Sequence, residues 1–288
     1  MAAERLGRGT AMKMRGRIDA FLFAPVNARV VDVFRVGLAL IMAKVFWPGP
    51  LRMQTWIVDL PGLGEINLQP WWFPLVLLAL TMFALGWRHR WMAFGLAILL
   101  WPALESSGFG KSRQVLYVAF LAVSLLRSEF CFGFFHRNGE TRPRAYGPIW
   151  PIRLVQFQLS ALYFVNAAAK MTPDYLSGHV LTEMSRHYSN FKVDLTSGFM
   201  PIGPLEIPVL LCAVGTVLVE FSLAFGFWFR RTRVATACLG VIFHVSLSFI
   251  VVIGWLDWAS VFLYSSFLLP IEDRSSSSEL PRRKRRRS

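Results

Sequence analysis

Acidic side chains and cysteines are scarce in this chain. Asp and Glu together number 17 against 31 Lys and Arg, and the three cysteines, Cys131, Cys212 and Cys238, form no CxxC pair and no zinc-ligand spacing. That pattern argues against a disulfide framework, thiol chemistry and a structural metal site. The sequence also lacks HExxH, a Gly-rich phosphate loop, GxSxG and paired carboxylates at glycosidase-like spacing. The chemistries those motifs carry have no signature here, and no metal is expected. The basic, Gly-rich stretch through Arg17 has no small-residue cleavage pattern behind a short apolar core. The first apolar span is therefore expected to be retained.

Long hydrophobic runs are what the chain has in abundance. Hydrophobic residues make up 55% and aromatics 15% of the 288 positions, the composition of an all-α, polytopic membrane helix bundle rather than a soluble domain. About eight transmembrane helices are expected, over residues 28–47, 71–87, 91–104, 114–126, a fifth opened by Pro148 and Pro151 and running to Lys170, then 206–229, 234–253 and 255–269. The third and fourth runs fall short of the ~20 residues of a full crossing. They must use the polar hinge from Glu105 to Arg113, tilt little, or form a re-entrant hairpin. Gly254 marks a turn between the last two spans, the second of which carries Asp257. The segment from Met171 to Leu205 reads as the longest outer loop and the roof of any site, with Asp174, His179, Glu183, Arg186, His187, Tyr188 and Asp194.

The net charge of +14 is segmented between the spans, which in a membrane protein sets orientation. Outer segments hold Arg52, Lys111, Arg113, Arg186 and Lys192, and spans hold Arg35, Lys44 and Lys170; every other Lys and Arg falls on the inner side, Arg29 and Arg153 at the inner ends of their spans. This predicts a multi-pass protein of the cell inner or plasma membrane with both termini cytoplasmic. Three parts follow: a basic N-terminal segment at 1–27, a transmembrane domain at 28–270 and a basic tail at 271–288 ending in RRKRRR. Both basic segments suit anionic lipid headgroups, and nucleic acid is not an expected partner.

The fifth span carries a polar stripe. At 100° per residue Gln156, Ser160, Tyr163, Asn166 and Lys170 fall within one arc of roughly 120°, while Val155, Phe157, Leu162, Phe164 and Val165 lie mostly outside it. Unpaired polar groups in hydrocarbon cost several kcal/mol, so the stripe faces partner helices or a water-accessible cavity. Two readings of Lys170 are open. It is a lysine near a helix end that snorkels to the headgroups, or a functional amine whose neutral form acts as a general base. The other intramembrane ionisable residues are Asp32, Arg35, Glu220 and His244. Asp32 and Arg35 can pair at i,i+3. The alternative for Asp32, Arg35 and Glu220 is polar glue between helices, and for His244, beside Ser246 and Ser248, a hydrogen-bonded packing histidine.

The stretch LVQFQLSALYFVNAAAKMTPDYLSGHVLTEMSRHY resembles the corresponding part of the HTTM (horizontally transferred transmembrane domain) family, whose best-known members are the vitamin K-dependent gamma-glutamyl carboxylases. Further matches follow in order: an acidic residue in VLVEFSLAF, then FHVSLS, then Ile253-Gly254, with Phe34-Arg35 and Gly37 of FRVGLAL near the start. The likeness covers roughly residues 18–270. It implies that Lys170 is the base that deprotonates reduced vitamin K or another quinol. It also implies that Arg35, Arg186, His187, Glu220 and His244 line or support the quinol pocket. Two positions depart from the family pattern. Ala169 stands where a second lysine is common, and Tyr175 where a tryptophan is common.

The exterior domain that holds protein substrate in the carboxylases has no counterpart in this sequence, which points to a separate exterior substrate or partner protein if glutamate is to be carboxylated. The expected function is quinol-linked base or redox chemistry at Lys170. A non-catalytic membrane scaffold or transporter-like subunit that binds a partner protein is the alternative, and a lipid-modifying enzyme is a third reading.

Overall fold

Apolar runs bounded by Pro, Gly and Arg become the helices of this protein. The structure, a computed structural model, describes residues 16, 18–45, 57–60, 64–67, 69–106, 117–122, 125, 146–189, 191–202, 205–252 and 255–269. The basic arm before Gly16, most of the first outer loop, the hinge beyond Ser106, Cys131 with the inner loop through Ala145, Gly254 and the RRKRRR tail lie outside the described residues, as does the side chain of Asp257.

In chain order the helices are α1 (Ala28–Val45), α2 (Gln69–Leu85), α3 (His89–Ser106), α4 (Trp150–Ala169), α5 (Pro173–Leu176), α6 (His179–His187), α7 (Val209–Gly226), α8 (Arg233–Ile250) and α9 (Trp255–Leu268). Residues 117–122 are also helical. The long helices coincide with the expected spans to within a few residues, and α3 runs two residues further at each end than the third apolar run. α7 and α8 are long and apolar enough to cross a membrane. Only 33% and 22% of their 18-residue windows are buried inside the protein. Their buried faces carry Glu220, Thr236 and His244, whereas Leu211, Leu218, Phe225, Ile242 and Phe249 are exposed. Polar inside and apolar outside is the arrangement hydrocarbon favours.

α4 packs along α7, α2 lies between α1 and α3, and α9 touches α1, α4 and α8. One hydrophobic core runs through them, including Leu38, Phe83, Leu96, Leu159, Leu223, Phe227 and Phe267. The α1–α9 contact is close because Gly37 has no side chain: a Cβ there would meet Cε2 of Phe262 at 2.5 Å. That leaves Phe34 free to stack on the Phe262 ring at 5.1 Å between centroids.

Three short antiparallel strand pairs amend the all-α expectation. β1 (Pro25–Asn27) pairs with β4 (Tyr146–Pro148), β2 (Ile57–Leu60) with β3 (Gly64–Asn67), and β5 (Phe199–Ile202) with β6 (Leu205–Pro208). The first pair ties the N-terminal segment to the entrance of α4. There Phe21 sits 6.0 Å from the Trp228 ring and 6.1 Å from Phe157, under the guanidinium of Arg153 at 4.2 Å.

The segment that follows α4 is more ordered than a polar loop. Thr172 caps α5 by accepting from the Tyr175 amide, with Pro173 opening the helix. Gly178 then turns the chain into α6 at φ 85°, where a Cβ would also lie 2.9 Å from the Leu210 amide nitrogen; only glycine meets both demands at low cost. Val180 and Leu181 pack against Ala167, Tyr175, Ala213 and Val217, and this apolar docking holds α6 on the N-terminal half of α7.

Candidate functional site

The polar stripe of α4 is almost entirely matched to neighbouring helices. At the N-terminal end of α4 Arg153 donates to Gln156 Oε1 at 2.8 Å, and Gln156 donates through Nε2 to the Ser266 carbonyl of α9 at 2.7 Å. One turn on, Ser160 accepts from the Trp228 indole N–H at 2.9 Å. Next comes Tyr163, whose hydroxyl lies 3.0 Å from Nε2 of His244 on α8 and in hydrogen-bond contact with the Tyr264 hydroxyl on α9; His244 Nε2 is 3.1 Å from that second hydroxyl. These three side chains are buried. Apart from Arg153–Gln156 within α4, these contacts tie α4 to α8, α9 and the turn after α7 through groups that hydrocarbon cannot solvate, which is why the stripe faces inward.

The stripe ends at Lys170, the C-cap of α4, where a cation complements the helix dipole. Its Nζ is bonded to Glu220 Oε1 on α7. The Lys170 side chain keeps 28% of its exposure, whereas that of Glu220 keeps 6%. The lysine is thus drawn to a buried carboxylate rather than reaching freely for headgroups. Tyr175 lies beside the amine: its ring centroid is 5.8 Å from Lys170 Nζ and its side chain shares a hydrogen bond with Thr216 of α7. Burial, with the Glu220 charge nearby, pushes the Tyr175 phenol up to about 12, so it stays neutral across ordinary pH. Two buried atoms near this chain of contacts have no hydrogen-bond partner among the described residues, Glu220 Oε2 and His244 Nδ1.

The other sequence candidates lie elsewhere. Arg35 is fully buried and contacts Asp32 at 3.3 Å, in the i,i+3 pairing expected, and the Ala84 carbonyl of α2 at 3.3 Å. Those contacts place it at the α1–α2 seam rather than beside Lys170. Arg186 and His187 sit on α6, none of whose residues is buried, and both pair with Glu183 one turn back, at 2.9 Å and 3.3 Å. They are surface groups of the outer segment and do not line a buried chamber with Lys170.

A family model for the HTTM domain matches residues 60–270. The chain belongs to the HTTM family. No curated protein and no solved structure matches it. The matched range holds Lys170, Glu220 and His244 and leaves α1, with Arg35, outside. An HTTM domain is a membrane domain, in keeping with α7 and α8. Tyr264, Trp228, Ser266 and Thr216 are the site residues of this HTTM protein that sequence reasoning missed. Tyr264 carried a signal, since a tyrosine inside an apolar span is a polar handle in need of a partner. Thr216 and the Ser266 carbonyl carried none.

Proposed function

We propose that this HTTM protein is a multi-pass membrane protein of about eight crossings, with both termini inside, in which Lys170 works with Glu220 as a general base on a lipid-soluble weak acid of the quinol class. The observation that carries this reading is the Lys170–Glu220 pair, because the second carboxylate oxygen is buried and without a partner among the described residues. A buried acceptor of that kind is costly unless something donates to it.

The residues present fit such a ligand. Glu220 Oε2 would accept from a ring hydroxyl, and Lys170 Nζ would take the proton. Phe164, Phe221 and Phe225 meet edge-on or stacked at 5.8–6.5 Å along the α4–α7 seam, with Phe164 and Phe225 exposed to the lipid side. They offer apolar faces to a planar ring arriving sideways from the bilayer. When bound, a quinol supplies an acidic hydroxyl and, with oxygen, the driving force for a stronger base. The chain's own part is to hold the amine in place through Glu220, to screen it from outer water with Tyr175, and to let one proton lie on either partner in a low-dielectric pocket. A protein substrate for glutamate carboxylation would meet the α6 face with Glu183, Arg186 and His187, which is exposed.

A second reading, the non-catalytic scaffold, is favoured by the hydrogen bonds that satisfy Gln156, Ser160 and Tyr163. The two are separated by purifying the protein in detergent, identifying any retained quinone and measuring quinol-dependent oxygen uptake. The base reading expects a retained quinone and a rate lost in both Lys170→Ala and Lys170→Arg, because guanidinium does not give up its proton. Equal rates in wild type and Lys170→Ala, or no quinone retained, would leave the scaffold reading in its place.

A further inference from the structure

A base that has taken up a proton must pass it on, and the group bonded to Lys170 is the Glu220 carboxylate of α7, itself buried. Helix register shows where the next acceptor lies. α7 and α8 run antiparallel, and a Cβ on Gly240 would meet Leu223 at 2.9 Å. Glu220 is one turn outward from Leu223 on α7, and His244 one turn outward from Gly240 on α8. The two residues therefore stand at the same level on adjacent helices. Both are about nineteen-twentieths buried, with exposures of 5% and 4%. Each presents one polar atom, Oε2 and Nδ1, that has no partner among the described residues. On α4, Tyr163 and Lys170 are seven residues apart and share a face, with the half-buried Asn166 between them. Lys170 grips Glu220, and Tyr163 with Tyr264 grips the far nitrogen of His244.

We propose that Glu220 Oε2 and His244 Nδ1 are joined through ordered water, so that Lys170, Glu220, His244 and the Tyr163–Tyr264 pair form one proton path running inward from the base. Its direction rests on the base reading of Lys170; its existence does not. In the transfer the N–H bond at Lys170 breaks and an O–H bond at Glu220 forms. The carboxyl then turns about Cγ–Cδ, its O–H bond breaks as the proton passes through water, and an N–H bond forms at His244 Nδ1, giving an imidazolium whose Nε2–H is held by the Tyr163 and Tyr264 hydroxyls. Nothing is oxidised or reduced. His244 and the two tyrosines are positioning and relay groups and do not touch substrate. The titratable groups facing the path are Lys170 and Tyr163 on α4, Tyr175 on α5 and Tyr264 on α9.

The test is pH-dependent infrared difference spectroscopy of the full chain in lipid nanodiscs. Glu220→Gln identifies the carboxyl band. The path predicts that this band shifts in His244→Phe and, through the imidazole, in Tyr163→Phe, which keeps the ring and its packing. If His244→Phe fails to fold, His244→Gln and Tyr163→Phe carry the measurement. A Glu220 band at the same position in wild type and in every folded variant would overturn the proposal. Oxygen uptake with reduced menadione is read in parallel. The path expects the steady rate to drop about 100-fold in His244→Phe, while a single-turnover burst persists. A coupled band with no uptake in wild type keeps the path and removes the base. An uncoupled band with uptake lost only in Lys170→Ala keeps the base and removes the path.

Discussion

A lysine whose amine is bonded to a carboxylate of 6% exposure cannot be removed alone at little cost. Lys170→Ala leaves Glu220 charged and buried without its cation, a loss of about 3 kcal/mol for pairs of this kind. Thermal unfolding in detergent is expected to show a clear drop in midpoint for Lys170→Ala and a smaller one for Lys170→Ala with Glu220→Gln. The apolar pair Lys170→Met with Glu220→Leu should return close to the wild-type midpoint, since well-packed hydrophobic replacements of a buried ion pair are often neutral or stabilising. If instead Lys170→Ala unfolds at the wild-type midpoint, the pair contributes nothing to the fold. Lys170, Glu220 and His244 could be singled out in the sequence because each is an ionisable group in an apolar run. Their partners could not, because the Tyr163–His244–Tyr264 cluster joins residues 81 and 101 positions apart. No local pattern reports such separations.

Helix faces set the next scale. Gly37 and Gly240 are the points where α9 comes closest to α1 and α8: a Cβ would meet Phe262 at 2.5 Å and Tyr264 at 2.6 Å. Gly37→Ala and Gly240→Ala should each destabilise by about 1–3 kcal/mol through overpacking against an aromatic ring, read as a lower unfolding midpoint. Gly95 and Gly215, with nothing within 4 Å of a built Cβ, are the controls, and alanine there should be neutral or stabilising. In the outer segment the Asp194 carboxylate accepts the Thr196 amide at 2.9 Å, which holds its carboxyl below the usual range. A depressed carboxylate adds its stabilisation above the unfolded-state pKa and loses it as pH falls through the folded value. Hydrogen exchange at the Thr196 amide should therefore quicken as pH is lowered through the acid range, relative to the intrinsic rate, and Asp194→Ala should be unprotected throughout. Long apolar runs ending at Arg or Pro made α1, α2, α4, α7, α8 and α9 legible in the sequence. α5 and α6 were not. They depend on one threonine cap, one left-handed glycine and docking on α7, signals too short to outweigh a polar composition.

At the scale of the whole molecule, the proposed orientation rests on the Lys and Arg distribution, because positive charge collects on the side that insertion retains. The proposed topology expects a single cysteine at His187 to react with an impermeant maleimide added outside intact cells, and one at Arg231 to react only after permeabilisation, each in a background with Cys131, Cys212 and Cys238 replaced. The reverse pattern would turn the protein over and place Lys170 at the inner face. The arrangement of helices around α4 was not legible, since it is fixed by which stripe residue meets which neighbour, as in Ser160 with Trp228 and Gln156 with Ser266. The resemblance to HTTM proteins could name Lys170, yet only the fold could separate it from Arg35, Arg186 and His187. The central claim is that the Lys170–Glu220 pair is a working base and not only a bond between α4 and α7. The most direct measurement is oxygen uptake with a reduced quinone by the Lys170→Met, Glu220→Leu double variant, once it is shown to unfold at the wild-type midpoint. The account predicts a folded protein with no quinol-dependent uptake; a wild-type rate in that protein would contradict it.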